Sequence, residues 1–451
     1  MPLQSRPGLA HQSASGGHPC NLQLMSGLKN ATELCLVRWL NAPASADRRG
    51  IMLRTRWIML AVLFIARTAM ALQFQTVGSS APLLVGQLGL SYADIGTLIG
   101  LYLLPGVVIA LPGGLLGQRF GINVVLGGLV LMVIGGVITG FATTLGMLSL
   151  GRLVSGTGAV LLNVLLTKLL ADWFTDRSVT AALAILVTSW PLGIGAGLAG
   201  GHAVAGTFGW PTLMMAGAAF SLASLLLLVA VYRTPPGASA GRAPTLLPRL
   251  SAYEITMSLV AGAIWAVYNV GFIVLISFAP EFFVARGYSL AQASGLVSLL
   301  GWFLVPMIVV GGLLTARTGR PNLLMAGGFI IAAITAAALP VAGLPALLFI
   351  VIALAAGLPA GPIMTLPVEV LRPENRAAGM GLYFTCYYGG MAVLPAFAGS
   401  LRDLSGTTTA PLLFAAAMMV IALALLVIFR GMQRTDTAAL PPGAATEKLK
   451  G

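Results

Sequence analysis

GGLLGQRFG (Gly113–Gly121) and GGLLTARTG (Gly311–Gly319) are near copies of one string, set 198 residues apart in a chain of 451. The residues that lead into them repeat at the same offset: Gly89, Ser91 and Ala93 pair with Gly287, Ser289 and Ala291. A later pair, Asp176–Arg177 and Asn375–Arg376, is shifted by 199. One nine-residue near-match arises readily in Gly/Leu-rich sequence. Three in register mark an internal duplication.

Hydropathy says what was duplicated. Hydrophobic types make up 58% of the chain and charged types 8%, against roughly 25% charged in soluble globular proteins. With a mean hydropathy of +0.94, too few charges exist to cover a water-facing surface. A soluble enzyme, a disordered scaffold and a nucleic-acid-binding protein are excluded. Three cysteines at unrelated spacings, Cys20, Cys35 and Cys386, exclude a disulfide-stapled secreted fold.

Twelve apolar stretches follow one another: 57–79, 94–115, 123–142, 146–170, 179–201, 211–232, 254–279, 290–314, 322–342, 345–368, 377–400 and 410–430. Each is long enough to cross a hydrocarbon core of about 30 Å as a helix. Their many Gly and Pro residues are tolerated in bundled membrane helices. Both copies of the repeated string close the second helix of a six-helix block. The reading is an all-α membrane protein of twelve transmembrane helices in two homologous bundles, 57–232 and 251–430, joined by a polar linker at 233–250. Residues 431–451 read as an unstructured tail. Residues 1–56 read as another, or as an over-extended reading frame whose start is Met52.

The net charge of +13 is a matter of topology. With the N-terminus placed in the cytoplasm, twenty-one of the 25 Lys and Arg residues fall on that face, and Arg286 and Arg402 fall opposite. Such a bias sets both termini in the cytoplasm and the chain in the plasma (inner) membrane. No nucleic-acid partner is expected. His11, His18 and Cys20 fit no standard ligand spacing, so neither a metal nor a cofactor is expected.

Two six-helix halves, a Gly-rich Arg-bearing loop after the second and eighth helices, and a central linker together resemble the major facilitator superfamily, over about residues 54–432. Gly113, Gly117, Arg119 and Gly121 match that family's loop, with Gln118 where an acid is common. Gly311, Arg317 and Gly319 form the second copy. Arg152, Gly156 and Gly158 match its Arg-xxx-Gly-x-Gly pattern on the fourth helix. Ser189–Gly197 (SWPLGIGAG) lacks the Gly-Pro-xx-Gly-Gly string of drug/proton exporters, and Leu366–Pro395 looks like the cyanate/nitroimidazole-type branch. The resemblance implies a secondary or facilitative transporter that acts as a single chain in the bilayer, with its solute bound near the midplane between two rocking halves.

Placement of charge points to the solute. Arg67 lies ten residues into the first stretch, roughly 15 Å deep, where a charge is costly and commonly marks the pathway. Leu60, Ala71, Phe74 and Gly78 share its face. A guanidinium there either takes a planar anion bidentately or braces neighbouring carbonyls. Arg152 shares its face with Ser155, Gly156, Ala159 and Asn163, a pattern that favours packing and gating. None of the twelve acids falls at mid-helix, and His202 lies near a helix end. Buried cations without buried acids suggest that a small anionic solute supplies the countercharge.

The second half offers rings and amides. Trp265, Tyr268 and Asn269 share a face of the seventh helix with Phe272, while Tyr383 and Tyr387 align on the eleventh. Together with Arg67 and Phe74, five of these (Trp265, Tyr268, Asn269, Tyr383 and Tyr387) form the expected solute site. Phe272 and Tyr388 read as packing. Pro359, Gly361 and Pro362 are expected to break the tenth helix. No HExxH, GxSxG or nucleotide loop is present, so the chain is not read as an enzyme. Export of a neutral or drug-like solute, and a transporter-like sensor without flux, are the alternatives.

Overall fold

The computed structural model describes residues 28–110, 121–174, 179–233, 250–372 and 375–438. The chain divides into two units, Met1–Thr55 and Arg56–Gly451. In the first, described backbone is helical from Leu28, although the segment reads as a structureless tail. Apolarity tracks bilayer depth rather than helicity, and the Leu, Ala and Arg residues of 28–54 are good helix formers. Residues 1–27, 439–451 and all but the ends of the 233–250 linker lie outside the described residues.

Twelve helices are assigned among the described residues: α1 Leu28–Leu88, α2 Tyr92–Leu101, α3 Ile122–Gly140, α4 Leu145–Trp173, α5 Val179–Phe208, α6 Trp210–Val231, α7 Ala252–Val284, α8 Leu290–Thr318, α9 Pro321–Ala338, α10 Pro345–Val370, α11 Arg376–Ser405 and α12 Ala410–Ala438. They follow the twelve apolar stretches one for one. Among the described residues, ten spans are long and apolar enough to cross a membrane, the first being Thr55–Leu88 and the second Tyr92–Ala110.

Local sequence sets the ends. Ser91 and Ser289 both open a helix with a reciprocal capping box, to Asp94 and Gln292, each after a glycine of positive φ, Gly89 (65°) and Gly287 (90°). The duplicated lead-in is therefore a duplicated turn. Ser251 and Glu254 build a third box at the start of α7. Proline occupies the first turn of α6, α9 and α10, where a missing N–H costs nothing.

Helix pairing repeats as well. The contacts α2–α4, α3–α4, α3–α6, α4–α5 and α5–α6 recur as α8–α10, α9–α10, α9–α12, α10–α11 and α11–α12. Between the two sets, α2 packs on α11 and α5 on α8. Exchanging the sets maps one of these interfaces onto the other, as a pseudo-twofold demands. Helices α1, α4, α7 and α10 have the most buried spans (50–67%, against 33–44% for the other spans), so these four form the centre. The outer helices turn residues such as Ile134, Val229, Ile334 and Val427 outward, as a lipid-facing surface requires.

The expected break in the tenth helix is absent, and an unforeseen one lies in the second. α10 runs unbroken through Pro359, Pro362 and Pro367. Tyr268 on α7 donates to the Ala356 carbonyl in the turn before Pro359 (2.7 Å), which ties α10 to α7. α2 is instead interrupted at residues 102–104, just before Pro105, where Leu103 and Leu104 both donate to the Gly100 carbonyl.

Candidate functional site

The break in α2 organises one flank of the centre. The Tyr102 amide turns to the Gly100 carbonyl, so the Leu98 carbonyl loses its normal helical donor. Arg152 on α4 supplies one instead. Its Nε donates to Leu98 O (2.9 Å), Nη1 to Gln73 O (3.0 Å) and Nη2 to Phe74 O (3.2 Å), and its guanidinium lies 4.3 Å from the Tyr102 ring. The side chain is 1% exposed. Arg152 thus ties α4 to α1 and α2 through backbone carbonyls, the bracing arrangement rather than an open cation. Gly156 lies under the Tyr102 carbonyl, and Gly158 against the Gly128 carbonyl of α3, where a Cβ would overlap either.

Arg67 on α1 is built differently. Its Nε donates to Asn163 Oδ1 on α4 (3.2 Å) and its Nη1 to the Leu186 carbonyl on α5 (3.0 Å). Asn163 Nδ2 in turn donates to the Tyr388 hydroxyl on α11 (3.1 Å). Arg67 Nη2 has no hydrogen-bond acceptor, and no carboxylate pairs with Arg67, among the described residues. The side chain is half-buried. It faces protein from both sets of helices, not hydrocarbon.

Rings continue the site. Tyr387 and Tyr388 lie 5.0 Å apart, and both are close enough to Arg67 to interact electrostatically. Trp265 on α7 sits 6.2 Å from Tyr387 and stacks on Tyr268 at 5.4 Å. On the opposite side Phe74 meets Trp190 at 5.3 Å and Tyr102 at 5.7 Å. Trp190, Trp265 and Tyr387 are half-buried, whereas Phe74, Tyr268 and Tyr383 are buried.

Arg67, Trp265 and Tyr387 are thus brought together, with Phe74 on the adjoining flank. Two residues of the expected set have their polar groups committed elsewhere, and a third, Tyr383, is sealed in with its hydroxyl unpartnered among the described residues. Tyr268 gives its hydroxyl to Ala356 and packs toward Phe329 on α9. Asn269 Nδ2 folds back onto its own helix at the Trp265 carbonyl (2.7 Å), a common choice for an amide beside helix backbone. Tyr383 is fully buried, its backbone against Gly262 of α7. In sequence, Asn163 reads only as continuing the Arg152 face and Tyr388 as packing, and Trp190 is not singled out. Asn163 had a signal, eleven residues beyond Arg152 on the same helical face. Tyr388 had none, because its partner lies 225 residues away.

Of the loop residues, Gly113, Gly117 and Arg119 lie outside the described residues. Gly121 caps α3 with φ 54°, and Gly319 closes α8 with φ 62°. Gly311 lets α8 approach the Gly357 carbonyl of α10, and Arg317 is exposed in the last turn of α8.

At the end of the bundle away from the termini, the two sets are clasped. Asp403 of α11 accepts from the Tyr92 and Ala93 amides of α2 (3.1 and 2.8 Å), and Arg402 is held by Glu281 (2.7 Å) with its guanidinium 4.8 Å from the Tyr92 ring. Gly96, Gly100 and Gly399 bring the α2 and α11 backbones together, and a Cβ at any of them would overlap a carbonyl of the partner helix. At the terminus-bearing end, Glu254 holds Asn375 (2.9 Å), and Arg430 of α12 joins Glu369 and Asn322, both clasps within one set of six.

The family model described as Major Facilitator Superfamily matches residues 63–395. The chain is 30% identical over 191 residues to the 4-hydroxybenzoate transporter PcaK of Pseudomonas putida, covering 41% of each protein. It is 35% identical over 103 residues to the inner membrane transport protein YajR of Escherichia coli (strain K12), covering 23% of this chain and 22% of that one. Each of these matches spans less than half of the relative's own length. Among solved structures, a bacterial homolog to the human lysosomal transporter Spinster, in an inward-facing and occupied conformation, superposes with a TM-score of 0.67 at 19% identity. That match covers 84% of this chain and 96% of that one.

Proposed function

The chain belongs to the major facilitator superfamily, and on that premise we propose that it is a membrane transporter, not an enzyme, which moves a small organic anion by alternating access. The observation that carries this reading is Arg67. A guanidinium at membrane depth is costly without a partner. This one has one amide oxygen and one backbone carbonyl, leaving Nη2 unfilled and its charge unneutralised. A solute carboxylate completes both. Charge-assisted hydrogen bonds of this kind are worth about 1.5–3 kcal/mol.

The walls narrow the class. Tyr387 lies near the cation, Trp265 beside Tyr387, and Trp190 beside Phe74 on the adjoining flank, and ring stacking adds about 0.5–1.5 kcal/mol per pair. An aromatic carboxylate fits both the charge and the rings better than nitrate or cyanate. The Pseudomonas putida relative, named a 4-hydroxybenzoate transporter, supports that class. For alternating access, the support is the clasp between α2 and α11 at one end, in a fold shared with a transporter solved in an inward-facing conformation. The basic bias of the loops supports placing the terminus-bearing face in the cytoplasm.

Counterflow in proteoliposomes tests the proposal. Benzoate is the probe, against benzamide as its neutral isostere, acetate, nitrate and cyanate. Benzoate is expected to bind roughly 10- to 100-fold more tightly than benzamide, with the difference lost in Arg67→Ala. Equal affinity for benzoate and benzamide, unchanged by Arg67→Ala, refutes the anion reading.

A further inference from the structure

Donors outnumber acceptors where the two sets of helices face each other, and the surplus comes from both sets. Arg67 on α1 keeps both Nη2 hydrogens and one Nη1 hydrogen after its two bonds. Tyr388 on α11 uses its hydroxyl oxygen to accept from Asn163, and its own O–H proton has no acceptor among the described residues. Tyr387, one residue before, makes no hydrogen bond among them. Asn163 fixes the spacing, since a single amide holds Arg67 with its oxygen and Tyr388 with its nitrogen. Tyr388 has no latitude to turn away: it is 1% exposed and its ring fills the space over Gly106, beside the α2 break, where a Cβ would overlap it.

We infer that Tyr388, with Tyr387 beside it, is the second set's half of the anion site. The solute's carboxylate then accepts from Arg67 on α1 and from the Tyr388 hydroxyl on α11 together. Asn163 is the positioning residue that aims both. This rests on the anion reading above and goes beyond it, because it states how the bound solute acts on the fold. With no solute, α4 and α11 are joined here by one neutral hydrogen bond. With the anion in place, charged hydrogen bonds join α1 to α11, and the loaded transporter is drawn into the closed form from which it can rock.

The test separates binding from turnover in the full-length protein, with benzoate as probe. Tyr388→Phe is expected to lower the maximal counterflow rate at least about tenfold, while equilibrium affinity falls no more than about threefold, because Arg67 still holds the carboxylate. Asn163→Asp places a fixed carboxylate against Arg67 Nε and is expected to weaken benzoate binding at least about tenfold without weakening benzamide binding. Should Tyr388→Phe fail to fold, Asn163→Asp decides the matter. Wild-type turnover in Tyr388→Phe, or unchanged benzoate affinity in Asn163→Asp, overturns the clamp. If Arg67→Ala still abolishes benzoate binding in that case, the anion reading stands and only the clamp falls. Should Arg67→Ala leave benzoate binding intact, both fall.

Discussion

Removing Asp403 is expected to open the end of the bundle away from the termini. The first amides of a helix have no intrahelical acceptor, and at α2 every one of them is accounted for. Ser91 N goes to Asp94, Asp94 N to the Ser91 hydroxyl, Ile95 N to the Ser91 carbonyl, and the Tyr92 and Ala93 amides cross to Asp403 on α11. Two bonds from a carboxylate to a helix N-terminus would be worth about 1.5–3 kcal/mol each if desolvated. These are exposed, and solvent reduces each to about 0.5–1 kcal/mol. The clasp spans the two sets, so its roughly 1–2 kcal/mol is present only when this end is closed. Asp403→Ala then shifts the closed-to-open ratio by about 5- to 30-fold, and Asp403→Asn, which keeps one acceptor oxygen, by less.

Gln75 provides the readout. It is 1% exposed on α1, wedged beside Gly197 of α5 and near Ser277 of α7, and thiol reagents reach it only when these helices part. In a background without native cysteines, a membrane-impermeant maleimide is expected to modify Gln75→Cys about 5- to 30-fold faster when Asp403→Ala is added. An unchanged labelling rate alongside lowered thermal stability would falsify the gate assignment and leave Asp403 a plain structural cap.

Three further outcomes follow from the packing. Gly96→Val drives a side chain into the Pro395 carbonyl and overpacks the same interface at about 1–3 kcal/mol; counterflow should fall at least about fivefold while labelling of Gln75→Cys speeds up. Arg152→Met leaves Leu98 O without a donor in a buried site, at about 1–3 kcal/mol, and a thermal-shift assay in detergent should register a lowered melting temperature. Tyr268→Phe removes one buried bond to Ala356 O, at about 1–3 kcal/mol, and benzoate affinity should stay within about twofold, since that hydroxyl faces α10 rather than the solute.

The fold was legible because its two strongest determinants are local. Apolar length places each helix, and the repeated Gly-x-Ser lead-in becomes the same capped turn at Ser91 and Ser289. Helix ends were less legible, because an apolar window stops at the hydrocarbon edge while a helix continues to its cap, as α5 does to Phe208 and α11 to Ser405. Proline was misjudged for a related reason. Whether it breaks a membrane helix depends on what satisfies the freed carbonyls, and those donors come from other helices. At α2, Arg152 of α4 takes the Leu98 carbonyl that the break releases, whereas α10 continues through three prolines.

The site was half legible for the same physical cause. A charge at membrane depth declares itself in one dimension, so Arg67 and Arg152 stood out, yet their difference did not. Both are arginines on helical faces rich in small residues, and only the count of partners separates them: three carbonyls for Arg152, two acceptors and an unfilled nitrogen for Arg67. Aromatic residues carry still less information in one dimension, since Tyr383, Tyr387 and Tyr388 share a helix within six positions and face three different surroundings. Tyr383 is sealed against α7, Tyr387 meets Trp265, and Tyr388 reaches Asn163 in the other set. A residue that joins two halves of a duplicated bundle acts through a contact between sequence-distant helices. Its role is therefore set by how the halves dock, which hydropathy and spacing within either half do not encode.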